Sequence, residues 1–257
     1  MIKVKVIAAL LLASRVTHGW AAEPLVLTDE ARTQMRAEFA QHAAAAEAEL
    51  TRDPQLVRAY SARGDARLFL GEFRAAVADF EKMIALDPTQ DAPHWRLGIA
   101  YYFAGDFAKA ARQFEKYHAY DGRDRENGIW KFLAQAKADG IAKARAEMLA
   151  YTRFDREPFP SLYEMLAGKK TPDEMLAEVA KMGRSDDEVV MFFAHYYGGL
   201  EEDLLRHRER ALKLLGQAVA SPAGRDTSGS AGYMWQVARL HWERLRSEQQ
   251  LPNPPSS

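Results

Sequence analysis

A 34-residue internal period constrains this chain more than any other feature. Asp53-Pro54, Asp87-Pro88 and Asp121-Gly122 recur at that interval. So do Gly64 and Gly98, Gly71 and Gly105, Phe73 and Phe107, Ala76 and Ala110, Phe80 and Phe114, and Leu86 and Tyr120. A period of this size describes one supersecondary unit, which cannot bury its apolar face alone and must stack on its neighbours. The residues between the markers are mostly Ala, Leu, Glu, Arg and Lys, which are strong helix formers. There is no sustained apolar/polar alternation and no Val/Ile/Thr-rich run bounded by turns, so strands are not expected. Each unit therefore reads as a pair of helices. Gly64 and Gly98 let the two helices approach closely, and Gly71 and Gly105 make the turn between them at positive φ. Ala76 and Ala110 are small residues at a helix contact. Phe80 and Phe114 fill the space beside the first glycines.

These markers resemble the tetratricopeptide repeat (TPR). That family places Gly at position eight, Gly-x-aromatic at fifteen to seventeen, Ala at twenty, an aromatic at twenty-four and Pro at thirty-two. Residues 57–90 match every place through Gly64, Gly71, Phe73, Ala76, Phe80 and Pro88. Residues 91–124 match all but the last, where Gly122 replaces Pro. The resemblance implies an all-α helical solenoid of antiparallel helix pairs whose first helices line a concave groove. By resemblance, the groove places fall on Arg58, Ser61, Asp65, Leu68 and Phe69 in one repeat. In the next they fall on Ala92, Trp95, Ile99, Tyr102 and Phe103. The candidate partner-binding set is Arg58, Asp65, Phe69, Trp95, Ile99, Tyr102 and Phe103, with Trp130 extending the aromatic strip. Aromatic and Arg side chains are the residue types that dominate binding hot spots. Arg58 and Asp65 either hold the polar end of a peptide or pair with each other.

The helix around residue 100 carries two apolar stripes. Leu97, Tyr101 and Ala104 form one, and Trp95, Ile99, Tyr102 and Phe103 the other. A helix apolar on two faces is either buried all round or holds a ligand. Residues 151–183 are one candidate to cover the second stripe. The family's core Trp at position four is His94 here, so a slip of one residue would make Trp95 core.

Beyond the two good repeats the period decays. Thr28-Asp29-Glu30 is an N-cap signal that opens an Ala-rich helix to about Leu50, the second half of an earlier unit. Residues 125–150 read as a degenerate third repeat. Pro158 and Pro160 mark an irregular helical crossover over 151–183, within which Thr171-Pro172-Asp173-Glu174 starts a short helix. Ser185-Asp186-Asp187-Glu188 has a capping-box pattern. Residues 186–221 form another repeat-like hairpin, with Gly199, Ala211 and Leu215 at repeat positions and Arg206 where a turn Gly is usual. Residues 231–247 form a last helix whose amphipathic set Met234, Val237, Leu240 and Leu245 caps the stack. The divisions are 22–150 for the N-terminal repeats, 151–183 for the crossover, 184–250 for the C-terminal hairpin and capping helix, and 251–257 for a disordered tail. This order of elements also resembles, more weakly, the new lipoprotein I type of bacterial periplasmic TPR adaptor.

Residues 1–21 read as a secretory signal. Lys3 and Lys5 precede an apolar run from Val6 to Ala13, and Gly19-Trp20-Ala21 offers a cleavage site before Ala22. The run is far short of the roughly 20 residues a membrane-spanning helix needs. Cleavage removes Lys3, Lys5 and Arg15 and no acidic residue, leaving a formal charge of −4. The expected location is periplasmic or secreted. A sequence with 0 Cys carries no disulfide, no Cys nucleophile, no Cys-ligated zinc and no lipid on Cys. The near-neutral charge of the whole chain, −1, does not suggest a nucleic-acid binder.

No catalytic or metal constellation is read. The 7 His form neither His-x-x-x-His nor His-Glu-x-x-His. Asp203 and His207 share a helix face, which supplies two ligands where three or four are usual and suits an i,i+4 charge pair. There is no Gly-x-Ser-x-Gly and no phosphate-binding Gly-rich loop. No cofactor is implied. The reading is an adaptor for a protein or peptide partner. One alternative is an enzyme with its site over 151–205, where Arg153, Asp155, Arg156, Glu157 and Tyr163 interrupt the repeats. Another is a subunit of an outer-membrane assembly or a homodimer, with helices 28–50 and 231–247 packing across a two-fold.

Overall fold

The computed structural model describes residues 27–153, 155–225 and 229–250. The leader read over 1–21 and the tail read over 251–257 lie outside the described residues. The fold is all-α, with no strand among the described residues, and consecutive helices pack in pairs. Helix α1 (Asp29–Arg52) precedes the pair α2 (Val57–Leu70) and α3 (Phe73–Leu86), then α4 (Trp95–Ala104) and α5 (Phe107–Tyr120). Next come α6 (Arg125–Asp139) and α7 (Ile141–Ala146), then α8 (Phe159–Leu166) and α9 (Pro172–Lys181). The chain closes with α10 (Glu188–Leu204), α11 (Arg208–Val219) and α12 (Ser230–Gln250).

Glycines set the spacing within the hairpins. A Cβ on Gly64 would lie 2.5 Å from the Phe80 ring, and one on Gly98 would lie 2.6 Å from the Phe114 ring. Gly199 stands in the same relation to Leu215, at 2.9 Å. In each pair a side chain of the second helix fills the place where a first-helix side chain would be. The inter-helix turns repeat as well. Gly71 and Gly105 adopt φ of 85° and 84°, and Arg206 takes the third such place at φ 64°. Each turn closes with two backbone bonds of the same kind. At the first, Gly71 N–H donates to Leu68 O and Glu72 N–H to Arg67 O; at the third, Arg206 N–H donates to Asp203 O and His207 N–H to Glu202 O. A non-glycine residue at positive φ is costly, so Arg206 is a strained copy of the glycine turn.

The elements depart from the expectations at four places. Helix α4 begins only at Trp95, because a 3-10 turn (Pro88–Gln90) and Pro93 precede it. Ala92 therefore lies in a turn instead of on a groove-lining helix. The second helix of the degenerate third repeat, α7, has 6 residues. Asp187, not Ser185, caps α10, its Oδ1 accepting from Val190 N–H at 3.1 Å. Thr171, by contrast, forms the complete capping box with Glu174 at the start of α9.

The largest departure concerns the face lined by the first helices α2, α4, α6 and α10. Residues 151–183 are not what packs on its α2 and α4 part; α8 and α9 pack against one another and against α6 and α10. Helix α12 covers it instead. Tyr233 packs on Phe69 and Trp95, with ring centroids at 4.8 and 4.9 Å. His241 packs on Phe103 at 4.5 Å, on Tyr102 at 5.5 Å and on Trp130 at 6.0 Å. The amphipathic set Met234, Val237, Leu240 and Leu245 is buried, and α12 packs on α11 of the last hairpin as well as along this inner face. Its apolar face is accordingly used within the chain.

Two substitutions test the hairpin geometry. Gly98→Ala should cost about 1–3 kcal/mol in urea unfolding, because the Phe114 ring must leave its rotamer or the helices must part. Arg206→Gly should stabilise by roughly 0.5–1 kcal/mol, as relief of positive-φ strain outweighs the greater freedom of Gly in the unfolded chain. An unchanged midpoint for both would show that these contacts do not set the packing.

Candidate functional site

The candidate groove residues separate into two groups. Phe69, Ile99, Tyr102, Phe103 and Trp130 lie on the inner face and are buried. Arg58, Asp65 and Trp95 retain exposure. Arg58 does not meet Asp65. It sits at the start of α2 and pairs with Glu49 of α1 at 3.0 Å. Asp65 pairs with Arg96 and accepts from Tyr233 Oη at 3.0 Å. Asp65 thus ties α12 to the first repeat, and Arg96 Nη2 adds a bond to Ser61 Oγ at 2.9 Å. A further tie lies deeper, where Arg239 of α12 donates to Phe69 O at 2.8 Å.

The register at Trp95 is now fixed. His94 takes the core place. It is buried against the Phe80 ring at 4.7 Å, and its Nδ1 accepts from Leu97 N–H at 3.0 Å. That bond puts the ring proton on Nε2, in a neutral imidazole. Burial, then the nearby Arg96 charge, push the His94 pKa down to about 3. Trp95, one residue on, turns to the inner face.

Helix α12 leaves two cavities along the face. One, of about 230 Å³, is lined by Tyr102, Phe107, Leu200, Leu215, His241 and Leu245, with Lys137, Asp203, Arg244 and Glu248 also on its wall. Lys137 pairs with Asp203 at 3.0 Å and Arg244 with Glu248 at 3.2 Å. His241 Nδ1 lies 2.8 Å from Tyr196 Oη, and burial followed by Arg244 and Lys137 pushes its pKa down to about 3.

The second cavity, of about 220 Å³, lies at the first turn of α12. Trp95, Phe114, Trp130 and Met234 form its apolar walls, and Asp124, Glu126, Asn127, Arg156 and Ser230 its polar ones. Both volumes fall below the roughly 300–1,000 Å³ of small-molecule sites, and suit one or two side chains of a partner. The polar wall is built where the crossover meets the start of α6. Asp124 caps α6, accepting from Glu126 N–H at 3.0 Å and from Asn127 Nδ2 at 2.7 Å. Glu126 accepts from Tyr197 Oη and from Arg156 Nη2, each at 2.6 Å. Arg156 stacks over the Phe159 ring at 4.1 Å. Asp155 accepts from Arg125 N–H at 3.0 Å and so pins the crossover to α6. Burial raises the Glu126 carboxyl to about 7, with Arg156 opposing the shift and Asp124 reinforcing it.

Sequence reasoning placed Trp95 and Trp130 in this region but missed Asp124, Glu126, Met234 and Ser230 as their neighbours. Glu126 looks like an ordinary first-turn acid. Only the fold shows that it is buried and that Arg156 reaches it from the crossover. Of the other crossover residues, Tyr163 donates to Leu149 O at 2.6 Å. Asp203 and His207 do not form an i,i+4 pair. His207 Nδ1 is 2.7 Å from Glu202, while Asp203 binds Lys137. Among the described residues no group of three or more His, Cys, Asp or Glu could hold a metal ion. No helix among them is long and apolar enough to cross a membrane.

Residues 15–122 match the family described as BTAD, the bacterial transcriptional activator domain. That stretch takes in α1 to α5, the regular hairpins, and the similarity is to a helical domain of the TPR-like superfamily. No curated protein matches the chain.

The structure orders the two Trp residues. Trp130→Ala, in the core, should cost roughly 3–5 kcal/mol, and Trp95→Ala, half-buried beside a cavity, clearly less; equal losses would show Trp95 to be core. The histidines predict a pH effect. A His whose folded pKa lies below its unfolded value near 6.5 contributes stability that is present above pH 6.5 and is lost as pH falls toward 3. His94→Asn keeps a capping acceptor for Leu97 N–H but cannot take up a proton. Its stability should therefore decline less steeply than wild type between pH 6.5 and 4. A parallel decline would contradict the buried neutral ring.

Proposed function

We propose that this protein is an exported helical-repeat adaptor that holds a segment of a protein partner at the Trp95–Trp130 cavity. One observation carries the reading. Helix α12 covers most of the inner face, yet beside its first turn it leaves a cavity walled by two Trp, a Phe and an Arg. These residue types supply anchor sites in protein interfaces, where a few well-packed aromatic and Arg groups dominate the energy. Repeat scaffolds offer such faces because stacking fixes them rigidly. The similarity to a helical, TPR-like domain supports the same coarse class, a domain that engages other proteins. Export rests on the Lys-flanked apolar run and the small residues before Ala22.

Two measurements test this. Intact mass of the protein from envelope fractions of its source should begin at Ala22; a chain retaining residues 1–21 in the cytosol would remove export. Crosslinking capture from the same fractions should return a partner that Trp95→Ala loses without a matching loss of melting temperature. Arg210→Ala, far from the cavity, should retain it. A partner held equally by Trp95→Ala would move the site, and the absence of any partner would overturn the adaptor.

A further inference from the structure

The Trp95–Trp130 cavity is unbalanced in charge. Among the described residues, Asp124 and Glu126 line it, with Arg156 as the one cation on its wall. Asp155 stands behind them, 3.4 Å from Arg156, so three carboxylates share one guanidinium. The neighbouring Arg125 guanidinium faces elsewhere, over the Tyr151 ring at 5.4 Å. Burial raises Asp124 as well as Glu126, and in both cases the nearby acids add to the rise. Such shifts mark carboxyl groups whose charge is poorly compensated where they sit. The apolar walls are the aromatic rings and thioether that receive a cation on an alkyl stem. Trp130, 2% exposed, is one of these walls.

Resting on the adaptor reading and naming what it recognises, we propose that this cavity receives a protonated primary amine of a partner polypeptide. The ammonium group stands against Asp124 and Glu126, supplying the missing positive charge, and its carbon stem lies between Trp95 and Trp130. Arg156 holds Glu126 in place and keeps the pair from collapsing into the cavity. Two sources carry this group. An amino terminus carries the amine on the backbone, next to a peptide carbonyl. A lysine side chain brings the amine alone.

The test is a titration of the full chain with three short peptides, read from the indole N–H resonances of Trp95 and Trp130. The probes are Ala-Leu-Ala-Ala-amide, its N-acetylated form, and acetyl-Ala-Lys-Ala-Ala-amide. The expected result is saturable shifts of both resonances with the free amino terminus or with the lysine peptide. Whichever binds identifies the source. The acetylated, lysine-free peptide should bind at least tenfold more weakly. Asp124→Asn should lose tenfold or more in affinity, and Glu126→Gln, which keeps the Tyr197 contact, should lose affinity in the same direction. If the acetylated, lysine-free peptide binds as well as the others, or if Asp124→Asn binds unchanged, the amine assignment is overturned while the cavity stands as a peptide site. If no peptide shifts either resonance but a captured partner still depends on Trp95, the amine assignment falls and the adaptor reading survives.

Discussion

The close approach of a glycine in one helix to a bulky side chain of the next is the contact on which the rest of this structure depends. Gly64 against Phe80, Gly98 against Phe114 and Gly199 against Leu215 hold each hairpin at one spacing. The positive-φ turns at Gly71, Gly105 and Arg206 return the chain at one angle. Identical hairpins stacked at a fixed offset must curve, so their first helices come to share an inner face. Everything proposed for this protein takes place on that face. An aromatic at the twenty-fourth place is therefore a spacer before it is anything else, and its partner glycine accepts no side chain without moving a ring.

Helix α12 then determines what the inner face can do. It is held there by apolar burial and by a few polar ties: Tyr233 to Asp65, Arg239 to the Phe69 carbonyl, and His241 to Tyr196. A buried guanidinium and a buried neutral imidazole are costly unless their bonds are made, so these ties fix the register of α12 along the face. Five of the eight candidate groove residues are buried, and four of these, Phe69, Tyr102, Phe103 and Trp130, lie against rings of α12. What remains open is set by where α12 starts. Its first turn stops short of closing the space between Trp95 and Trp130, and the crossover fills one side of that space with Arg156.

The parts of this architecture legible in the sequence are those fixed by short-range relations. Glycine and its filling side chain lie 16 residues apart within one hairpin, and a turn is a property of three or four residues. Even Arg206 could be placed by counting, although nothing in an arginine announces a left-handed turn. The position of α12 was not legible. Its bonds to Asp65 and to Phe69 span 168 and 170 residues, and an amphipathic stripe does not say which helices it will pack on. The pairing of Arg58 with Asp65 failed for a related reason. Spacing put both on one helix, but Arg58 meets Glu49 of α1 and Asp65 meets Arg96 of α4. The polar wall of the cavity joins a helix cap, a first-turn acid and a crossover arginine. Each has an ordinary local explanation, and only packing brings them together.

The most direct test of this account is amide hydrogen exchange resolved along α12 and α4. If α12 is an integral part of the inner face, its amides from Met234 to Leu240 open with the same free energy as those from Leu97 to Phe103, in one cooperative unit. Exchange of the α12 amides orders of magnitude faster, with α4 still protected, would contradict it. The helix would then be a detachable cover, and the groove beneath it, not the cavity beside it, would be the surface offered to a partner.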